Sequence, residues 1–276
     1  MHLVIQGAEV ETRDLKDIAK LAGASAIEAI TPCAFRLRDA KPHPAIAPQC
    51  EKAQLDHAFV PESRKLADMR LCVMDMDSTL ITIECIDEIA DMQGLKPQVA
   101  AITAAAMRGE LDYPESLRQR VALLKGLNAS ALQRVYDERL RLSPGADVML
   151  AKFRQLGIKT LLVSGGFTFF TERLQQRLKL DYTRSNVIEI DGGKLTGKVI
   201  GDIVDADVKR AALLKARDEL GLRREQVIGL GDGANDLKFM AEAGVSIAYH
   251  AKPVVRAQAT HALTYVGLNG ALNLFN

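Results

Sequence analysis

Two aspartates that are one residue apart follow an apolar run, Asp75 and Asp77 in VMDMDSTLIT. Two more, Asp232 and Asp236, follow another apolar run in LGDGAND. Carboxylates that are brought together repel one another unless a cation compensates them, and hard divalent cations take oxygen ligands. The two motifs together therefore predict a metal-dependent acidic site, whereas the first alone is equally consistent with a turn or a helix cap.

A second group of residues has the chemistry of an anion site. Ser164, Gly165 and Gly166 follow an apolar run and precede a helix-like stretch, TFFTERLQQRL. Backbone N–H groups at the start of a helix bind phosphate well, and the Ser164 hydroxyl adds a donor. Lys209 is the candidate cation for the same phosphate, the alternative being a solvated surface lysine.

The elements that must position these residues follow from the apolar pattern. Four short apolar runs alternate with helical stretches, namely RLCVMD, TLLVSG, QVIGLGD and GVSIAY. This alternation predicts an α/β fold with a Rossmann-like parallel sheet. Ligands bind at the carboxyl ends of strands in such sheets, and Asp75, Ser164 and Asp232 each end one of these runs. The sequence therefore predicts one active site that is assembled from distant segments.

An insertion separates the first two of these runs. Residues from about 82 to 145 read as helical throughout, and such a long connection predicts a helical cap over the sheet edge. Further along, VIEIDGGKLTGKVI alternates around Gly192 and Gly193, which predicts a β-hairpin. We assign residues 66–276 to this core and its cap.

Residues 1–65 have a different pattern and none of this chemistry. LVIQGAEV predicts a strand, TRDLKDIAKLAGA an amphipathic helix, and SAIEAITPCAFRL one or two strands. The prolines of AKPHPAIAP indicate a linker or extended loop. We expect a small α+β domain of unknown role, with a packing or dimerisation module favoured over a sensor; a homodimer is one assembly that the sequence allows.

The composition limits the classes of partner that we expect this protein to bind. The net charge is +1, from 36 basic and 35 acidic residues, which gives no footprint for nucleic acid or an anionic membrane. No apolar run approaches the roughly 20 residues of a membrane helix. The first residues lack a secretory pattern, so we expect a cytoplasmic protein. The four cysteines show no metal-ligand spacing and are expected to be reduced structural thiols.

These motifs together resemble the haloacid dehalogenase superfamily of phosphotransferases, which carries DxD, a Ser or Thr, a Lys and a later acidic motif. The corresponding residues here are DMDST at 75–79, Ser164, Lys209 and GDGAND at 231–236.

The sequence is most similar to the phosphoserine phosphatase family within this superfamily. That family has a glutamate at the cap entrance, here Glu84, and a cap helix that reads SLRxRV, here residues 116–121. Met107 and Tyr113 resemble its apolar pocket wall, although phenylalanine is common at the second position. The resemblance covers residues 70 to about 270.

The resemblance implies hydrolysis of O-phospho-L-serine, the last step of serine biosynthesis, through an aspartyl-phosphate. Asp75 is then the nucleophile and Asp77 the general acid and later the general base. Mg²⁺ is the implied cofactor, held by the Asp75 side chain, the Asp77 backbone carbonyl and Asp232. The substrate phosphate is expected to contact Ser164, Gly165, Lys209 and Asn235.

The cap residues are expected to select the substrate. Glu84 can pair with the ammonium of phosphoserine, and Arg120 can bind its carboxylate through a planar fork. Helical periodicity places Arg118 and Arg120 on opposite sides of the buried stripe and does not choose between them. The family motif selects Arg120; the alternative for either arginine is a surface ion pair.

Two other functions fit the same fold. The first is a phosphatase or phosphotransferase of this superfamily that acts on another small phosphate ester, which would not need both Glu84 and Arg120. The second is a non-catalytic amino-acid-binding regulator. The presence of Asp75, Asp77, Lys209 and Asp232 together argues against it, because binding alone needs no nucleophile beside a metal.

Overall fold

The computed structural model describes residues 1–276 and divides the chain into two compact units. Unit 1 comprises Met1–Cys72, Pro144–Lys159 and Leu222–Asn276, and unit 2 comprises Val73–Ser143 and Thr160–Gly221. No helix is both long enough and apolar enough to span a membrane.

Unit 1 begins with a four-stranded antiparallel sheet in the order β2-β3-β1-β4 and two helices. Its elements are β1 (His2–Gln6), α1 (Thr12–Leu21), β2 (Ala26–Thr31), β3 (Ala34–Arg38), α2 (Ile46–Lys52) and β4 (Asp56–Val60). Leu3 and Ile5 of β1 share one apolar core with Leu15 and Ile18 of α1. The predicted first strand, the amphipathic helix and both following strands are confirmed.

The proline-rich stretch was expected to be a linker or an extended loop, but its last residues belong to a helix. Helix α2 begins at Ile46 and contains Pro48 in its first turn. Proline is tolerated there because the N–H groups of a first helical turn have no partner within the helix. Strand β4 was not predicted; its exposure alternates with a period of two, and it pairs with the central strand β1.

The remaining part of unit 1 supplies parallel strands and the end of the chain. Its elements are α7 (Ala146–Gln155), β9 (Val227–Gly231), α10 (Leu237–Met240), β10 (Val245–Tyr249), α11 (Pro253–Arg256) and β11 (His261–Leu263). Strand β10 pairs in parallel with both β9 and β11. Asp56 of β4 joins this region to the N-terminal sheet, because its carboxylate accepts the backbone N–H groups of Thr264, Tyr265 and Val266.

Unit 2 contains the helical insertion and a second set of strands. Its elements are α3 (Cys85–Asp91), α4 (Lys96–Met107), α5 (Tyr113–Ala122), α6 (Ser130–Arg134), β6 (Lys159–Phe167), α8 (Thr168–Leu178), β7 (Tyr182–Asp191), β8 (Lys194–Ile200) and α9 (Ala206–Glu219). The insertion is helical as predicted. The hairpin is also confirmed, since β7 and β8 are antiparallel and Gly192 and Gly193 have positive φ angles at its turn.

Strand β5 (Leu71–Met74) contains the boundary between the units. The strands of unit 1 that follow the helical insertion have the order β11-β10-β9, and those of unit 2 have the order β6-β7-β8. Strands β6 and β7 are parallel, and only the terminal β8 is seen to run against its neighbour. This parallel-rich sheet with helices confirms the α/β fold class. The proposed domain limits at residue 65 and the cap limits at about 82 and 145 stay predictions.

Candidate active site

The first site residue follows strand β5, where all four residues are buried. Asp75 is 5% exposed, and the ammonium of Lys209 lies 2.7 Å from its Oδ1. Lys209 is on the first turns of α9, whose N-cap residue Asp205 accepts the N–H of Val208. The lysine is 1% exposed, so the alternative of a solvated surface lysine is wrong.

Asp77 lies in a tight turn over Met76–Leu80, in which Ser78 has a φ of 55°. This left-handed conformation is unusual for serine and redirects the chain directly after the two aspartates. The Asp77 Oδ1 accepts the backbone N–H of Cys85 at 3.0 Å, and its Oδ2 accepts the Ser164 hydroxyl at 3.5 Å. These contacts fix the carboxylate between the start of α3 and the end of β6.

The last residues of β6 have the form of an anion site. The strand continues past Ser164, where the sequence predicted its end, to Phe167, and its pairing with β7 shifts register between Val163 and Phe167. We call residues 164–166, in this irregular part of β6, the glycine turn. Ser164 is fully buried, and its hydroxyl accepts the N–H of Gly166 at 2.8 Å. A Cβ at residue 166 would lie 2.8 Å from Cε of Met76 and 2.9 Å from Oδ2 of Asp77. Glycine is therefore required for close approach between this turn and the aspartate turn.

Asn186 is a residue of this region that sequence reasoning missed. It lies on β7, is 1% exposed, and donates from Nδ2 to the carbonyl of Gly165 at 2.7 Å. Its Oδ1 accepts the N–H of Val204 at 2.8 Å, just before α9. The available signal was its residue type, because asparagine is depleted in strand interiors.

The cap contributes two opposite charges. Glu84 precedes α3 and accepts a hydrogen bond from the Ser78 hydroxyl at 2.7 Å. Arg120 is half-buried on α5, and its Nε donates to the Ser116 carbonyl at 3.3 Å. Arg118, by contrast, is 61% exposed and pairs with Glu115 at the surface. The structure thus assigns the surface ion pair to Arg118.

The environment of Glu84 is electrostatically unusual although its side chain still reaches solvent. Surrounding protein atoms, and then the nearby charge of Asp77, raise the pKa of Glu84 to about 7. The Ser78 hydrogen bond and the charge of Arg120 act in the opposite direction. A carboxylate with this pKa gains from a bound cation, as an ammonium group would provide.

Two residues of the resembled pocket wall differ in exposure. Met107 is 69% exposed at the end of α4 and therefore does not pack in a cap core. Tyr113 is half-buried at the start of α5, and its hydroxyl donates to the Gly165 carbonyl at 3.3 Å. Tyr113 therefore links the cap to the glycine turn near the end of β6.

The late acidic motif lies at the end of β9 in unit 1. Asp236 is fully buried, and its Oδ2 accepts the N–H of Gly233 at 3.0 Å, which holds the loop closed on itself. Asp232 is half-buried and Asn235 is exposed. Asp232 and Asp236 bring two carboxylates to this loop of unit 1, and Asp75 is the carboxylate that follows β5 in unit 2. All the donors are carboxylate oxygens, which suit a hard divalent cation.

Comparison with known proteins identifies the family. A model of the haloacid dehalogenase-like hydrolases matches residues 69–244, and a model of a domain of unknown function matches residues 3–46. A phosphoserine phosphatase from Polaromonas sp. is 56% identical over 215 residues, covering 76% of this chain and 91% of the relative.

Solved structures agree with this similarity. The unliganded crystal structure of a probable phosphoserine phosphatase from Vibrio cholerae has a TM-score of 0.87 at 36% identity, covering 99% of this chain and 85% of that chain. A substrate-bound phosphoserine phosphatase complex has a TM-score of 0.70 at 34% identity, covering 75% and 99%. The chain therefore belongs to the haloacid dehalogenase-like hydrolases, in the family of the phosphoserine phosphatases.

Proposed function

We propose that this chain hydrolyses O-phospho-L-serine to L-serine and phosphate with the help of Mg²⁺. The observation that carries the substrate is the pair of opposite charges in the cap, Glu84 and Arg120, in the same unit as the buried Asp75–Lys209 ion pair. Phosphoserine offers an ammonium for Glu84, a carboxylate for Arg120 and a phosphate for the glycine turn near the end of β6.

In the first step a carboxylate oxygen of Asp75 attacks phosphorus, and the bond from phosphorus to the seryl oxygen breaks. Asp77 gives its proton to the departing seryl oxygen. Lys209, Ser164 and the Gly165 backbone hold the phosphoryl oxygens, supported by the burial of Lys209 and Ser164. Charge placed in advance around a reacting phosphate stabilises the transition state without reorganisation.

In the second step water attacks the phosphorus of the aspartyl-phosphate. Asp77, now ionised, takes a proton from this water, and the bond between phosphorus and the Asp75 oxygen breaks to release phosphate. The contact of Asp77 with the N–H of Cys85 keeps its carboxylate in one orientation through both steps. The covalent intermediate on Asp75 divides a difficult hydrolysis into two easier reactions, and Asp77 assists the first as an acid and the second as a base.

The donor set fits Mg²⁺, which would be held by the Asp75 side chain, the Asp77 backbone carbonyl and Asp232. When bound, the cation supplies positive charge that offsets the carboxylates and the phosphate oxygens. Asn235 and Asp236 would not bind the cation directly but would orient its ligands and the phosphate. The contact of Asp236 with the Gly233 N–H supports that role.

The second candidate is hydrolysis of another small phosphate ester by the same chemistry. The glycine turn and the Asp75–Lys209 pair would serve any phosphate monoester, so only the cap residues distinguish the two functions. The homodimer, which the sequence allows, and the expected cytoplasmic location stay predictions.

The deciding experiment measures Mg²⁺-dependent phosphate release from O-phospho-L-serine beside a panel of sugar and nucleotide phosphates. We expect a strong preference for phosphoserine in the wild type, and loss of activity on chelation and in Asp75→Asn. Activity centred on a sugar phosphate would keep the chemistry and reject the substrate. No release from any ester by the folded, Mg²⁺-loaded protein would reject the enzymatic function.

A further inference from the structure

We propose that the Gly165 carbonyl is a hydrogen-bond acceptor shared by two positioning residues. Through it Asn186 fixes the orientation of the phosphate-binding glycine turn, a contact we call the anchor. Tyr113 holds the cap against the same turn, a contact we call the latch. The inference rests on the proposed function in taking Gly165 as part of the phosphate site. Asn186 and Tyr113 act as positioning residues, since each donates to this backbone carbonyl rather than to a reacting group.

The carbonyl receives two donors from distant parts of the chain. Asn186 Nδ2 donates to it at 2.7 Å from β7, and the Tyr113 hydroxyl donates at 3.3 Å from α5. A carbonyl oxygen has two lone pairs and can accept both. Because the peptide group is planar, holding the Gly165 oxygen also sets the direction of the Gly166 N–H, which donates to Ser164 Oγ.

The donor and the acceptor of the Asn186 side-chain amide are both hydrogen-bonded, so the orientation of this side chain is fixed. Its Oδ1 accepts the Val204 N–H at 2.8 Å, just before the N-cap residue of α9, the helix that carries Lys209. The same buried amide therefore connects the turn of Ser164 and Gly165 with the segment leading to Lys209. A buried amide whose donor and acceptor are both used is costly to replace.

Tyr113 belongs to the cap, and its contact exists only while the cap lies against the turn. A Cβ at residue 165 would clash with the Tyr113 hydroxyl, so the approach requires glycine there. Burial raises the pKa of Tyr113 to about 12, which keeps its hydroxyl protonated and able to donate at neutral pH. A phenylalanine would fill the same space without this hydrogen bond.

The two roles predict different kinetic signatures. Inorganic phosphate needs only the turn, whereas an ester substrate also needs the closed cap. Tyr113→Phe should lower kcat/KM for phosphoserine about fivefold, the effect of about 1 kcal/mol for one neutral hydrogen bond, and leave the Ki of inorganic phosphate unchanged. Asn186→Ser, which shortens the side chain and removes the amide donor without adding a charge, should weaken ester turnover and phosphate binding together, by about tenfold each; Asn186→Asp, which also adds a negative charge, should weaken both further.

The experiment measures kcat, KM and the inhibition constant of inorganic phosphate for wild type, Tyr113→Phe, Asn186→Asp and Asn186→Ser, with thermal unfolding of each. Tyr113→Phe with unchanged kcat/KM, or with an equally weakened phosphate Ki, would overturn the latch. Folded Asn186 variants with a normal inhibition constant for inorganic phosphate would overturn the anchor. If neither Asn186 variant folds, the role of Asn186 is in stability, and the anchor as a determinant of phosphate binding is likewise overturned.

Failure of the substrate assignment is separable from failure of this inference. If the wild type prefers another phosphate ester, the comparison of ester turnover with phosphate inhibition is made with that ester. If the wild type hydrolyses phosphoserine and Tyr113→Phe is indistinguishable from it, only the latch is rejected.

Discussion

Two regions of this protein each bury an aspartate to nearly the same extent but surround it differently. Asp56, in the N-terminal sheet, is 6% exposed and accepts three backbone N–H groups at 2.7, 3.0 and 3.2 Å. Asp75, after β5, is 5% exposed and contacts the Lys209 ammonium. Burial therefore does not by itself mark a catalytic carboxylate.

The type of partner distinguishes the two sites. Backbone N–H groups are fixed parts of the fold, so the three donors to Asp56 attach a strand of the N-terminal sheet to the segment after β11. The Lys209 side chain brings a full positive charge, which can also attract a phosphate. We therefore expect Asp56 to govern stability and Asp75 to govern turnover, and four predictions test this division.

The largest effect is expected for Asp75→Asn. Amide nitrogen and oxygen cannot replace the attacking carboxylate, so kcat should fall on the order of 10⁴-fold or more. Single-turnover phosphate release measures this directly, and circular dichroism checks that the variant is folded. Residual turnover within a few fold of wild type would assign the nucleophile elsewhere.

Asp56→Ala should lower the stability of the protein and leave its turnover unchanged, the opposite of Asp75→Asn. Three N–H groups lose their acceptor, so the free energy of unfolding should fall by about 2–3 kcal/mol, while kcat/KM below the unfolding transition is unchanged. Denaturant unfolding gives the first quantity, and Glu9→Ala, an exposed acidic site in the same sheet region, is the control. A loss of kcat/KM in the folded variant would contradict the division between the two regions.

The two arginines of α5 form a matched pair. Arg120→Ala should lower kcat/KM for phosphoserine about 30-fold, because a hydrogen bond to a charged group is lost. Arg118→Ala should change it by less than about twofold, since exposed ion pairs contribute little. Equal effects of the two substitutions would remove Arg120 from the substrate site.

The smallest effect concerns pH. The pKa of Glu84 is raised to about 7, so its carboxylate is mostly protonated below that pH and cannot pair with the substrate ammonium. We expect kcat/KM for phosphoserine to rise about tenfold between pH 6 and pH 8 through this group. Comparison with Glu84→Gln isolates the contribution, because the variant should lack this component; an identical profile would assign the titration to another group.

Much of the fold was accessible from local patterns. Apolar runs with turn residues predicted β5, β6, β9 and β10, and glycine pairs predicted the hairpin of β7 and β8. Short elements were missed: α2 because Pro48 suggested a loop, and β11 because three residues give too little periodicity to recognise. Strand β11 depends on its pairing with β10 rather than on its own propensity, and α2 buries Ile46 and Cys50 in the N-terminal core.

The sequence by itself determined which residue types follow the strands, how they are spaced and to which family they belong. Only the tertiary structure decided which distant groups meet: Lys209, 134 residues away, reaches Asp75, and Arg118 lies at the surface. The link of Asn186 and Tyr113 to one carbonyl likewise had no sequence motif. Periodicity defines the faces of an element, whereas the packing of the folded chain selects what each face contacts.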